Sequence, residues 1–266
     1  MFDYYLLEEA YEKVGIEAFQ NNLIRLNETI EICNETVDTF HYSQELYDVS
    51  VADNVKVTDC IYYLLPDKQF CVTVLPRLLQ KLKVIQRIHN YGELCNLLGA
   101  NSAFWGECFQ NKLGYCLCCS DDVYSFRFLK AKTVVTASTL SMYANVLFKK
   151  IVLCDSAYSN LNNYSQQEFK QILERLLALD NYNQSWVLGD FAPKNVTLTT
   201  SLNVSYESDK TNNNPKLAAK RYFQLPNGKR EYFEPHIKSG NFRIHFYPQN
   251  SEHIIYVGYI GPHLPI

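Results

Sequence analysis

The sequence predicts an α+β protein, a mostly helical N-terminal body carrying a small C-terminal antiparallel β-meander. Three observations carry that prediction. Apolar residues recur at helical spacing through much of the first 180 positions, most clearly Phe169, Ile172, Leu173, Leu176 and Leu177. From Arg221 to Leu264 the pattern changes to short aromatic and β-branched runs separated by Pro226-Asn227-Gly228, Gly240-Asn241 and Pro248-Gln249-Asn250-Ser251. Between the two lies a polar, Asn-rich stretch, 205–215, which reads as a linker. The expected organisation is a helical body over 1–200, a linker over 201–219 and an antiparallel module over 220–266.

Taken in order, the first forty residues carry two helical stripes: Leu6, Leu7, Ala10, Tyr11 and Val14, then Leu23, Leu26, Ile30, Cys33 and Val37. Residues 41–54 are polar and loop-like. Residues 55–64 favour a strand, or a helix tail where tertiary contacts override propensity. Pro76 suits the first turn of a helix, which Leu78, Leu79, Leu82, Ile85 and Ile88 continue. Residues 101–106 read as a turn entering a short buried helix. Ser120-Asp121-Asp122 is a helix start before 123–129. Residues 138–153 read as another helix, with 155–161 continuing or following it. Ser165-Gln166-Gln167-Glu168 is a capping box, and its helix is expected to end near Asp180-Asn181.

A 47% hydrophobic and 20% charged composition over 266 residues marks a folded chain, not a disordered one. The net charge of −3 hides an asymmetry: from Lys216 onward seven basic residues face three Glu, +4, which leaves −7 for the remainder. A basic C-terminal module fits a polyanionic partner. Nine scattered cysteines read as reduced thiols. The N-terminus lacks the basic segment of a signal peptide, and no apolar run approaches the ~18 residues of a membrane span. A cytoplasmic protein with no membrane association is expected.

The chemistry is expected on the meander. Phe242, Ile244 and Phe246 alternate with Arg243, His245 and Tyr247, so one face packs and the other presents polar groups. A two-residue turn at Gly240-Asn241 places Ser239 opposite Phe242, Lys238 opposite Arg243 and His236 opposite His245; carried through the next turn, it places Tyr256 across from Arg243. Two opposed cations cost from a few tenths up to roughly 1 kcal/mol, and an acid or an anionic ligand between them offsets that. Glu231, Glu234 and Glu252 are the only acids in the last fifty residues, so the offsetting group within the protein is Glu234 or one from the first two hundred residues, and a phosphodiester is the other candidate. RNA cleavage needs a base for the 2′-hydroxyl, charge at the phosphorane and an acid for the 5′-oxygen. The candidate catalytic residues are therefore His236, Lys238, Arg243, His245, Tyr247 and Tyr256. His245 or His236 serves as base or acid, Lys238 and Arg243 stabilise the phosphorane, and Tyr247 or Tyr256 orients the phosphate. That scheme calls for no cofactor and no metal. The bland reading of the same residues is a solvated sheet face that serves only as scaffold.

The turn, the run Phe242-Arg243-Ile244-His245-Phe246 and the following Ile-Tyr-Val-Gly-Tyr-Ile-Gly strand resemble the C-terminal half of RelE/ParE-type toxins. That resemblance implies a twisted antiparallel sheet with packed helices, acting in mRNA cleavage on the ribosome or, in the ParE branch, in gyrase inhibition. Its Lys, Arg, His and Tyr set falls on Lys238, Arg243, His245, Tyr247 and Tyr256. The ending Gly258-Tyr259-Ile260-Gly261-Pro262-His263-Leu264 also resembles the tails of uncharacterised bacterial proteins. The expectation is a toxin-like or phage-defence-associated ribonuclease whose partner is RNA or another polyanion. The alternative is a non-enzymatic protein-interaction or nucleic-acid-binding component of a bacterial multi-protein system, with a protein partner.

Other motifs weigh less. Cys116-Leu117-Cys118-Cys119, with Cys108 upstream, lacks the second ligand pair of a structural zinc site, so buried thiols acting as small apolar groups are the favoured reading. A metal shared by His236 with His253 or His263 lacks a conspicuous third ligand. Asp190-Phe191-Ala192-Pro193-Lys194-Asn195 has no glycine-rich phosphate loop before it, and no G-x-S-x-G elbow is present, which disfavours nucleotide-dependent and serine-hydrolase chemistry.

Overall fold

Phe2-Asp3-Tyr4-Tyr5-Leu6 alternates buried and half-buried side chains, and it forms a strand, β1 (Phe2–Leu6), where the apolar stripe suggests a helix. Aromatic residues at period two outweigh the longer spacing. The computed structural model describes residues 1–85, 90–96, 102–106 and 115–266, so Ile88, Asn101 and Cys108 lie outside it. The chain forms two compact units, Met1–Val134 and Val135–Ile266. Helices and sheets are both present in an α+β arrangement with an antiparallel strand set at the C-terminus, as the patterning predicts.

In the first unit, helix α1 (Ile16–Glu31) carries the expected stripe and leads to β2 (Asp38–Tyr42). A short hairpin, β3 (Ser50–Ala52) with β4 (Val55–Lys56), is followed by the single turn α2 (Val57–Asp59), so only the first two residues of 55–64 are extended. Helices α3 (Lys68–Thr73) and α4 (Leu75–Lys81) precede β5 (Lys83–Val84), with Pro76 in the first turn of α4. After α5 (Tyr91–Cys95), residues Ser102–Trp105 form the buried strand β6 where a turn is expected, and the short helix expected beyond it falls outside the described residues; β7 (Cys116–Leu117) and α6 (Ser120–Val134) follow. The sheet order is β5-β2-β1-β6-β7, with every pairing parallel. Asp38 is its polar anchor. Its carboxylate takes Nε of Arg127 at 3.1 Å and the Tyr4 hydroxyl at 2.9 Å, so a buried charge is matched on two sides.

The second unit begins with α7 (Leu140–Leu147), after which Ile151–Leu153 forms strand β8, so the helix expected over 138–153 is shorter. The capping box of Ser165 and Glu168 opens α8 (Gln166–Ser185). That helix runs past the expected stop because Asp180 turns inward and accepts the N–H groups of Lys150 at 2.8 Å and Ile151 at 2.9 Å. Helix α9 (Pro193–Thr199) leads to β9 (Asn203–Ser205), and the short helices α10 (Asp209–Asn212) and α11 (Pro215–Ala218) follow. Thus 201–219 is not a linker. Its strand pairs with β12 (His236–Ser239), and Glu207 is buried against Arg221. Strands β10 (Tyr222–Gln224) and β11 (Arg230–Tyr232) form a separate hairpin around Pro226-Asn227-Gly228. Strands β13 (Phe242–Gln249) and β14 (Ile254–Pro262) complete a sheet of order β8-β14-β13-β12-β9. Its pairings are antiparallel except that of β14 with β8. Ile237, Phe242, Ile244, Phe246, Val257 and Ile260 are buried in its core.

Candidate functional site

The turn at Gly240-Asn241 frames the site. Ser239 pairs with Phe242, Lys238 with Arg243 and His236 with His245, the register a two-residue turn dictates, with Gly240 at φ 49. Residues two apart on a strand share a face, so His236 and Lys238 stand beside His245 and Arg243. Across the sheet, Ser205 pairs with His236 and Tyr259 with His245. One row therefore reads Ser205, His236, His245, Tyr259, and the next reads Asn203, Lys238, Arg243, Gly261.

The tyrosines depart from expectation. Gln249 pairs with Ile254, so the turn takes residues 250–253, with His253 at φ 51, and β14 then bulges at Gly258. Gly261, not Tyr256, faces Arg243, and Tyr256 faces Tyr247. Those two tyrosines pack against Cys154, Leu225 and Phe233, away from the cationic row. The bulge also admits the β10–β11 hairpin: a Cβ at position 258 would lie 2.6 Å from Phe233 Cε1 and 2.8 Å from Phe223 Cβ. His253 stacks edge-on to Trp186, and His263 is exposed in the tail.

Two residues missed in the sequence close the site. Arg221 is fully buried; its Nε donates to Glu207 Oε1 at 2.9 Å, and its Nη1 donates to the carbonyls of Leu217 at 3.0 Å and Pro265 at 2.8 Å. The same carboxylate oxygen lies 3.9 Å from Nδ1 of His236 and 3.8 Å from Nδ1 of His245. The imidazoles stack with centroids 4.9 Å apart and are 5% and 2% exposed. A carbonyl can only accept, so Nδ1 of His245, 3.2 Å from Phe233 O, carries the proton, as does Nδ1 of His236, 3.4 Å from Glu234 O. The basic nitrogen of each ring is then Nε2. Burial, with His236 beside it, pushes His245 down to about 3, and burial likewise lowers His236. Both rings are neutral near pH 7, so Nε2 of each can accept a proton but has none to donate. The only signal for Glu207 in the sequence is its charge, shared with nearby Asp209 in a polar stretch that reads as a linker.

Donor atoms of Glu207, His236 and His245 lie within 4.8 Å of one another, a spacing open to a metal ion. The arrangement suits an anion better. Arg221 already holds the Glu207 oxygen, backbone carbonyls face both Nδ1 atoms, and Lys238 and Arg243 stand in the next row. Three cations against one carboxylate leave a positive surplus that a divalent ion would raise and a phosphate would lower.

The chain matches no family model, no curated protein and no solved structure. Among the described residues, no helix is long and apolar enough to cross a membrane.

Proposed function

We propose that the C-terminal unit binds RNA through this sheet face and cleaves it without a metal, as a cytoplasmic toxin-like or defence-associated ribonuclease. The observation that carries the reading is the adjoining of two cross-strand pairs, Lys238 with Arg243 and His236 with His245, on one face. Nε2 of His236, the less buried ring, takes the 2′-hydroxyl proton as the oxygen attacks phosphorus. Arg243 balances the charge of the phosphorane. Because the imidazoles are neutral, protonation of the departing 5′-oxygen falls to the Lys238 ammonium. His245 holds His236 in place, and Glu207 with Arg221 fixes the orientation of both rings.

Purified protein incubated with total RNA in the presence of chelator tests this. Cleavage that is lost in His236→Ala and in Arg243→Ala supports it, and RNA left intact by the wild-type protein sinks the catalytic part. One observation favours a binding-only reading, the near-complete burial of both His236 and His245. Under that reading RNA stays intact but is bound with an affinity that falls steeply with salt.

A further inference from the structure

In the first unit, two thiols and a carboxylate converge at the carboxyl end of β7, where the chain enters α6. Cys118 Sγ lies 3.3 Å and Cys119 Sγ 3.4 Å from Oδ2 of Asp122. The spacing of these cysteines in the sequence favours inert buried thiols, yet Cys116, Cys118 and Cys119 are all only partly buried. Asp122 Oδ2 also accepts the N–H groups of Cys118 at 2.9 Å and Cys119 at 3.2 Å. Those two bonds are what an aspartate in the first turn of a helix makes. Capping does not require both thiols to gather at the same carboxylate, and a thiol is a weak donor that gains little there.

Zinc–sulfur and zinc–oxygen bonds of roughly 2.3 and 2.0 Å set the S···O separation at about 3.5 Å around a tetrahedral ion. Both observed separations come close to that value without rearrangement. We infer that Cys118, Cys119 and Asp122 form a binding site for a thiophilic divalent cation, zinc being the best-matched ion, these three being the ligands found among the described residues. Cys116 does not complete the set, because its Sγ donates to the Gly106 carbonyl at 2.9 Å. The carboxyl edge of a parallel sheet is also where such folds place their ligands.

The inference stands apart from the ribonuclease proposal, since it concerns the other unit and other residues.

The test uses the full chain, dialysed into metal-free buffer and titrated with Zn²⁺ against a chromophoric chelator, with Co²⁺ as a spectroscopic substitute. One ion per chain and a thiolate-to-cobalt charge-transfer band are expected. Cys118→Ala and Cys119→Ala, which keep the backbone N–H groups that bond Asp122, each weaken zinc binding beyond the roughly 10–100-fold that loss of an outer partner costs. Asp122→Asn weakens binding while circular dichroism shows the helices intact. Absence of stoichiometric zinc, or binding that survives both alanine variants, overturns the site. Binding abolished by His245→Gln instead places the ion in the other unit and overturns it equally.

Discussion

Acidification should destabilise the second unit well before its carboxylates titrate. His245 is nearly inaccessible, and burial holds its folded-state pKa at about 3 against an ordinary value of 6.5. For a histidine with a depressed pKa, the unfolded chain binds the proton more readily, so stability is fully present above about pH 6.5 and is lost as pH falls toward about 3. From about pH 7 to about pH 5 the unfolded ring goes from mostly neutral to almost fully charged while the folded ring stays neutral. That difference removes about 2 kcal/mol, and His236, shifted in the same direction, adds to it. Urea unfolding at several pH values in this window, followed by the fluorescence of Trp186, measures the loss. His245→Gln should flatten the slope by about 2 kcal/mol over the same range while lowering stability at neutral pH. A wild-type protein whose stability is constant from pH 7 to 5, or a variant with an unchanged slope, refutes a buried neutral imidazole at this position.

Other outcomes follow from the same geometry. Glu207→Ala strands the Arg221 guanidinium in the interior and should cost about 3–5 kcal/mol; Glu207→Leu combined with Arg221→Met should recover much of that in the same urea assay. Gly258→Ala drives a methyl into Phe233 and Phe223 and should cost about 1–3 kcal/mol, read as a lower urea midpoint with unchanged slope. Lys238→Ala and Arg243→Ala should each reduce the salt dependence of RNA affinity by roughly one unit in the log–log slope. An unaltered slope means that neither cation meets a phosphate.

The local hairpin was legible in the sequence because its register hangs on one short turn whose geometry admits a single pairing. The second turn was not, since four residues and a bulge intervene, and a bulge is dictated by what packs over it, here Phe223 and Phe233. The parallel sheet of the first unit is not legible in the sequence for a related reason. Its edge strands span two residues each, too few to show a period, and Ser102–Trp105 is buried on all sides and so carries no alternation. The capping box of α8 is legible in the sequence and its far end is not, because Asp180 serves the backbone of β8 and does not end its own helix. Glu207 and Arg221 stand 14 residues apart in a polar stretch, and only tertiary packing reveals that they meet under the histidines.

End-group analysis of RNA treated with the purified chain in chelator bears most directly on the role of the C-terminal sheet. Attack by a 2′-oxygen deprotonated at His236 leaves 2′,3′-cyclic phosphate and 5′-hydroxyl ends, and both should vanish in His236→Ala. Products ending in 3′-hydroxyl and 5′-phosphate, or cleavage that chelator abolishes, would contradict the account.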